Sequence, residues 1–198
     1  RCKESERTAD APDKGGMRMS RKVILYIAQS LDGCIADPHG KVDWLDEAPA
    51  EDAGYAAFAK TIDTVILGHR TYCQIHDELS PAIWPYAGMQ SYVLTHQARS
   101  AQEGIRFVCQ PVTALIHTLK QEQGKDIWIC GGSDVIDQCV RADLIDEYHI
   151  TTLPLILGGG IPLFKSDGPM RSLKLLRVSS TSGLVNMIYE RKQSEYDE

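Results

Sequence analysis

The sequence predicts an α/β fold built on a central, mostly parallel sheet with helices on both sides. Three observations carry that prediction. Apolar runs of strand length, such as Val23-Ile24-Leu25-Tyr26-Ile27-Ala28 and Thr64-Val65-Ile66-Leu67, lack polar alternation, as strands covered on both faces require. Stretches with a helical apolar period fall between these runs. The last two strand-like runs, between Leu173 and Tyr189, are joined by Ser182-Gly183, a hairpin turn that adds an antiparallel edge.

Taken in order, the Val23 run is the first strand, and a turn-rich loop from Ser30 to Gly40 follows it. Residues 51–62 predict a helix, with Asp52, Tyr55, Ala59 and Ile62 on one face and Phe58 beside them. The Thr64 run ends at Gly68, and a short helix starts near Thr71. Tyr92-Val93-Leu94 and Ile105-Arg106-Phe107-Val108 are further strands. Pro111 to Gln123 is a helix with Val112, Leu115, Ile116 and Leu119 inward, opened by Pro111 and closed by Gly124. Ile127-Trp128-Ile129-Cys130 runs through Gly131-Gly132-Ser133 into a helix with Val135, Ile136, Cys139 and Val140 inward, and Tyr148 to Leu153 is the sixth strand.

Length allows one domain with a full core: residues 21–192, preceded by a polar, mobile extension over 1–20 and followed by a polar tail over 193–198. A net charge of -6 argues against nucleic acid or an anionic membrane as partner. No apolar run reaches the roughly 20 residues of a membrane span, and the N-terminus shows no secretory pattern. The six cysteines form no C-x-x-C pair, so reduced thiols and a cytoplasmic location are expected. The histidines lack metal-ligand spacing, so no metal is expected.

Four places offer chemistry. Cys130-Gly131-Gly132-Ser133-Asp134 joins a buried strand to a helix; glycines let backbone N–H groups approach a phosphate, although Ser133 could equally serve as a helix cap. Gly68-His69-Arg70-Thr71-Tyr72 brings basic side chains to a second helix start, where ligands of open α/β sheets sit; a solvated Arg70 is the plainer alternative. Thr95-His96 follows the Val93-Leu94 strand, as a phosphate contact or an ordinary strand end. Asp52 is either a carboxylate facing the cleft or a favourable first-turn residue. Gly158-Gly159-Gly160-Ile161-Pro162 is glycine-rich but is no dinucleotide fingerprint.

The order of these motifs resembles the dihydrofolate-reductase-like superfamily, and within it the C-terminal reductase domain of RibD-type riboflavin-biosynthesis proteins. The elements are Ser30-Leu31-Asp32-Gly33-Cys34-Ile35-Ala36, Val42-Asp43-Trp44-Leu45, Leu67-Gly68-His69-Arg70-Thr71-Tyr72, Tyr92-Val93-Leu94-Thr95, Ile129-Cys130-Gly131-Gly132-Ser133, Leu144-Ile145-Asp146-Glu147 and the stretch from Pro154 to Phe164. The resemblance implies a three-layer fold with NADPH across the strand ends. It assigns Gly68, His69, Arg70, Thr71, Thr95, His96, Gly131, Gly132, Ser133, Asp134 and Ile136 to the cofactor, with Ala28 beside the nicotinamide. It puts Ser30, Trp44 and Gly159 toward the substrate and makes Asp32 and Asp52 the candidate catalytic carboxylates. His69 and His96 stand where the family commonly carries Arg. The Met-rich loop of folate reductases is replaced by Ser-Leu-Asp-Gly.

The expected function is hydride transfer from NADPH to a pyrimidine- or pterin-type heterocycle, as in the riboflavin-pathway reductase that acts on a ribosylaminouracil phosphate. Lys165 is the candidate for that phosphate. Alternatives are dihydrofolate reduction, or an NADPH- or pterin-binding protein without turnover. A homodimer joined through the last strands is expected.

Overall fold

A computed structural model describes residues 20–47, 53–97 and 99–192. The predicted extension (save Ser20) and the tail from 193 lie outside them, as does Asp52. The elements are β1 (Val23–Gln29), β2 (Cys34–Ala36), a 3-10 turn (Asp43–Glu47), α1 (Ala53–Ala59), β3 (Ile62–Gly68), α2 (His69–Gln74) running on into a π-turn (Ile75–Leu79), β4 (Gln90–Leu94), β5 (Ile105–Val108), α3 (Val112–Gln121), β6 (Asp126–Gly131), α4 (Ser133–Arg141), β7 (Glu147–Thr152), β8 (Ile161–Pro162), β9 (Leu173–Thr181) and β10 (Leu184–Arg191).

Among the described residues the main sheet has eight strands in the order β5-β4-β3-β6-β1-β7-β10-β9. The first six of these are mutually parallel; β10 runs antiparallel to β7, and β9 to β10. The predicted parallel sheet with an antiparallel edge is therefore the observed one. A small second sheet pairs β2 with β8. It is too short for its own sequence signal.

Each sheet face packs one pair of helices. Val23, Leu25, Ile66, Ile127 and Ile129 pack with the α3 residues Leu115, Ile116 and Leu119 and the α4 residues Val135, Ile136 and Cys139. Ile24, Val65, Leu67, Val93 and Trp128 pack with Phe58 of α1 and Tyr72 of α2. The unbroken apolar strands were legible for this reason: both sides of each are covered. The adjacent strands β3 and β6 send their following helices to opposite faces, which opens a crevice at their carboxyl ends. Open α/β sheets bind ligands at such a switch point.

The predicted helix over 51–62 is shorter where it is described. It ends at Ala59, where the Phe58 carbonyl accepts both the Thr61 N–H (2.9 Å) and its hydroxyl (2.8 Å). Ile62, assigned to that helix by its period, instead starts β3 and is buried. An apolar residue four positions on satisfies a helical stripe and an inward strand position equally well.

Candidate functional site

The crevice is built from two glycine turns. Gly131 ends β6 with φ +138°, and Gly132 precedes α4 with no side-chain cap. Ser133 is the first helical residue, so the capping alternative for its hydroxyl does not hold. The first turn of α4 is closed by the N–H groups of Val135 and Ile136 on the Gly132 carbonyl, at 3.0 and 3.1 Å. The N–H groups of Ser133 and Asp134 are left without a backbone acceptor among the described residues. A Cβ on Gly131 would meet no atom within 4 Å, whereas one on Gly132 would stand 3.1 Å from Thr71 Oγ1. The bare backbone therefore borders open space on one side and touches α2 on the other.

Gly68 brings the second turn against the first. A Cβ there would lie 3.3 Å from Val135 Cγ2 and 3.7 Å from the Gly132 nitrogen. Gly68, Thr71, Gly131, Gly132 and Ser133 thus come together as predicted. Arg70 is exposed and has no ion-pair partner among the described residues. His69 lies against Cys73, with the sulfur 3.8 Å from the ring nitrogens. Thr95 and His96 follow β4, the neighbour of β3; His96 is exposed, and the Thr95 hydroxyl accepts from the Gln97 N–H at 3.2 Å.

Other predicted residues do different work. Ile136 is fully buried in the α4 core and presents nothing to a ligand. The Asp134 carboxylate points to Lys165, 2.7 Å away, so only its backbone faces the turn. Lys165 also reaches Asp137 at 3.6 Å.

Ser30 is fully buried. Its hydroxyl donates to Asp32 Oδ1 at 2.6 Å and accepts from the Cys34 N–H at 3.0 Å. Asp32 also accepts the N–H groups of Leu157 (3.1 Å) and Gly158 (2.9 Å). The Ser30 hydroxyl, then the Leu157 N–H, hold its carboxyl below the usual carboxylate range. Asp32 and Ser30 form a latch between two loops, with the Asp32 carboxylate favoured in its ionised form. The catalytic role expected of Asp32 and the substrate contact expected of Ser30 stand beside this structural role. Gly159 (φ +146°) faces open space, while a Cβ on Gly160 would strike the Ala36 carbonyl oxygen at 2.2 Å. Gly160 is there to let the chain entering β8 pass against β2. Trp44 is half-buried in the 3-10 turn, and its Nε1 has no acceptor among the described residues.

Ala28 lies on β1 opposite Thr151 of β7. On the same face, toward α1, stands a group of rings that the motif reading missed. Tyr26 stacks on Phe58 with centroids 4.3 Å apart, and Trp128 meets Tyr26, Phe58, Tyr55 and Tyr86 edge-on at 5.0 to 6.2 Å. Tyr26 and Tyr55 are half-buried. The Tyr86 hydroxyl lies 3.2 Å from Cys130 Sγ. Burial pushes that thiol up to about 11, so it remains protonated and is no nucleophile.

His149 sits beside Tyr26 on β7, and its Nε2 is 2.8 Å from Glu147, which pairs with Lys22 at 2.7 Å. Burial pushes the Glu147 carboxyl up, but hydrogen bonds from Lys22 and His149 outweigh it and leave it lowered. The Thr151 hydroxyl donates to Asn186 Oδ1 at 2.7 Å. The available signal was the alternation Glu147, His149, Thr151, which puts three polar groups on one face of a strand. A cavity of about 200 Å³ between Val140, Tyr148, Phe164 and Leu173 lies on the α4 side, away from these groups.

Fold and crevice together define a dihydrofolate-reductase-like α/β protein. More narrowly, the chain belongs to the RibD C-terminal domain family, whose profile matches residues 21–186. It is 42% identical over 175 residues to the uncharacterised protein YwjB of Bacillus subtilis (strain 168), covering 87% of this chain and 99% of that one. The uncharacterised YyaP of the same organism is 28% identical, with coverages of 85% and 94%. Among solved structures, a putative riboflavin biosynthesis protein from Shewanella sp. PV-4 superposes with a TM-score of 0.76 at 31% identity, covering 87% of this chain and 99% of that one. The deaminase/reductase of Thermotoga maritima gives 0.67 at 17% identity, over 87% of this chain and 57% of its own, and speaks to the fold alone. Among the described residues no helix is long and apolar enough to cross a membrane.

Proposed function

We propose that the chain is an NADPH-dependent reductase of a pyrimidine- or pterin-type heterocycle. The observation that carries this reading is the bare backbone at Gly131: a Cβ there would occupy open space beside the unbonded N–H groups of Ser133 and Asp134. Those groups and the start of α4 suit the pyrophosphate of a dinucleotide. Arg70, exposed at the start of α2, is the cation for the 2′-phosphate, and Thr95 and His96 border the same side.

When bound, the cofactor supplies the hydride; the protein orients the two partners and excludes water. Ala28 and Thr151 mark where the nicotinamide and the heterocycle would meet, and the rings of Tyr26 and Tyr55 hold the heterocycle flat. Asp52 is proposed as a further contact to the heterocycle. The exposed apolar side chains Leu175 and Val178 on the edge strand β9 support a homodimer, which sedimentation of the Val178→Lys variant would test by its shift to monomer.

Parallel calorimetric titration with NADPH and NADH tests the reading. Micromolar binding of NADPH, with NADH clearly weaker, is expected. Binding of neither cofactor would overturn it.

A further inference from the structure

The cavity on the α4 side is separate from the crevice. The crevice lies at the carboxyl ends of β3 and β6, whereas the cavity lies against Tyr148 and Leu173, at the starts of β7 and β9. It holds about 200 Å³, and its wall is mostly apolar: Val140 of α4, Tyr148, Phe164, Pro169 and Leu173. The segment that closes it is pinned along its length. The Leu163 N–H donates to the Gly33 carbonyl at 2.9 Å, the Gly168 N–H to the Lys165 carbonyl at 3.1 Å, and the Lys192 N–H to the Ser172 carbonyl at 3.1 Å. Arg171 ties the same segment to the end of α4, its Nε donating to the Val140 carbonyl at 3.0 Å and its Nη2 to the Arg141 carbonyl at 2.8 Å. The space is therefore built into the fold.

Tyr148 is 2% exposed. Its hydroxyl has no hydrogen-bond partner among the described residues, yet it is not sealed in; the one sealed and unpartnered side-chain polar atom among them is Trp44 Nε1. The hydroxyl therefore opens on the cavity that its ring lines. Burial, and then the Asp143 carboxylate, push this phenol up to about 12, so it is a proton donor at neutral pH. A buried donor without an acceptor costs free energy that an acceptor inside the cavity recovers. The other polar groups of the wall offer donors too. Asp137 is already paired with Arg141 at 2.9 Å and Lys165 at 3.6 Å. Arg171 keeps its Nη1 without an acceptor among the described residues. Two cations, Lys165 and Arg171, and one carboxylate, Asp137, line the cavity.

We propose that this cavity is a second binding site, for a small carboxylic acid with a single apolar ring. An apolar cavity of about 150 Å³ already accepts a benzene ring, so the space here takes a ring together with its carboxylate. Val140, Phe164 and Leu173 supply the apolar contact. The carboxylate accepts from the Tyr148 hydroxyl and from Arg171 Nη1, and hydrogen bonds to an ionised acceptor are the stronger kind. The inference does not rest on the functional reading above, because neither glycine turn contributes to this cavity.

The test titrates benzoate, benzyl alcohol and benzylamine into the full chain, followed by calorimetry and by backbone amide shifts. Benzoate is expected to bind with a Kd on the order of 0.1 mM, as suits a ligand of its size, and to shift the amides of Val140, Gly168 and Leu173. Benzyl alcohol should bind roughly tenfold weaker, and benzylamine not detectably. Tyr148→Phe keeps the ring and removes the donor, and should weaken benzoate by about tenfold. Val140→Phe fills the cavity and should abolish the binding. Saturating NADPH should leave the benzoate affinity unchanged. Absence of benzoate binding, equal binding of benzylamine, or undiminished benzoate binding by a folded Tyr148→Phe overturns the proposal. Displacement of benzoate by NADPH would place the acid in the crevice and also overturn it.

Discussion

The two halves of the site are made of different material. At the ends of β3 and β6 the surface is backbone: Gly68, Gly131 and Gly132 meet, and the nearest side-chain contribution is the Thr71 hydroxyl. Across β1 and β7 the surface is side chain: stacked and edge-on rings, with His149, Thr151 and Asn186 between them. A backbone surface tolerates little change, because a Cβ either collides or takes the ligand's place. A side-chain surface can change its ligand by exchanging one ring or one charge. Under the proposed function, the first half would hold the cofactor and the second the substrate.

That contrast sets an order of expected effects. Phe58→Ala removes a ring that is 6% exposed and stacked on Tyr26, and should cost about 3–4 kcal/mol of stability in denaturant unfolding. The protein that remains folded should bind NADPH as before. Gly131→Val should weaken NADPH by at least ~100-fold, since it fills the open space and forces a left-handed backbone on a β-branched residue. Stability comparable to wild type at low temperature would show that the loss is local. Arg70→Ala should weaken NADPH by about tenfold and NADH much less; equal losses would remove it from the 2′-phosphate.

Two smaller effects concern pH. Glu147 has a lowered carboxyl in the folded state. Its contribution is therefore present above its unfolded value and is lost as pH falls through the folded one, below about 4.5. Glu147→Gln should flatten that acid limb, by less than ~1 kcal/mol because the group is partly solvated. Asp32→Asn should lower the melting temperature above pH 4 and leave the pH profile of turnover unchanged, since the carboxylate is a latch. A shifted turnover profile would return it to catalysis.

The glycine crevice was legible in the sequence because two Gly-containing turns directly follow buried strands. Gly68, Gly131 and Gly132 could be placed from the neighbouring apolar runs alone. The ring cluster was not. Tyr26, Tyr55 and Phe58 read as ordinary core residues in their own elements, and only the packing of α1 on β1 and β6 turns them into one wall. The latch made by Asp32 and Ser30 was hidden for a related reason: its far partners lie in another loop. The hydrogen bonds of Asp32 to residues 157 and 158 span more than a hundred positions in the chain and leave no local pattern.

The separation of the two halves is tested most directly by titrating NADPH into wild type, Gly131→Val and Tyr55→Ala side by side. Binding by wild type and Tyr55→Ala, with none detectable in a folded Gly131→Val, is the predicted result. Undiminished binding by Gly131→Val, or loss in Tyr55→Ala instead, would contradict the assignment of the glycine crevice to the cofactor.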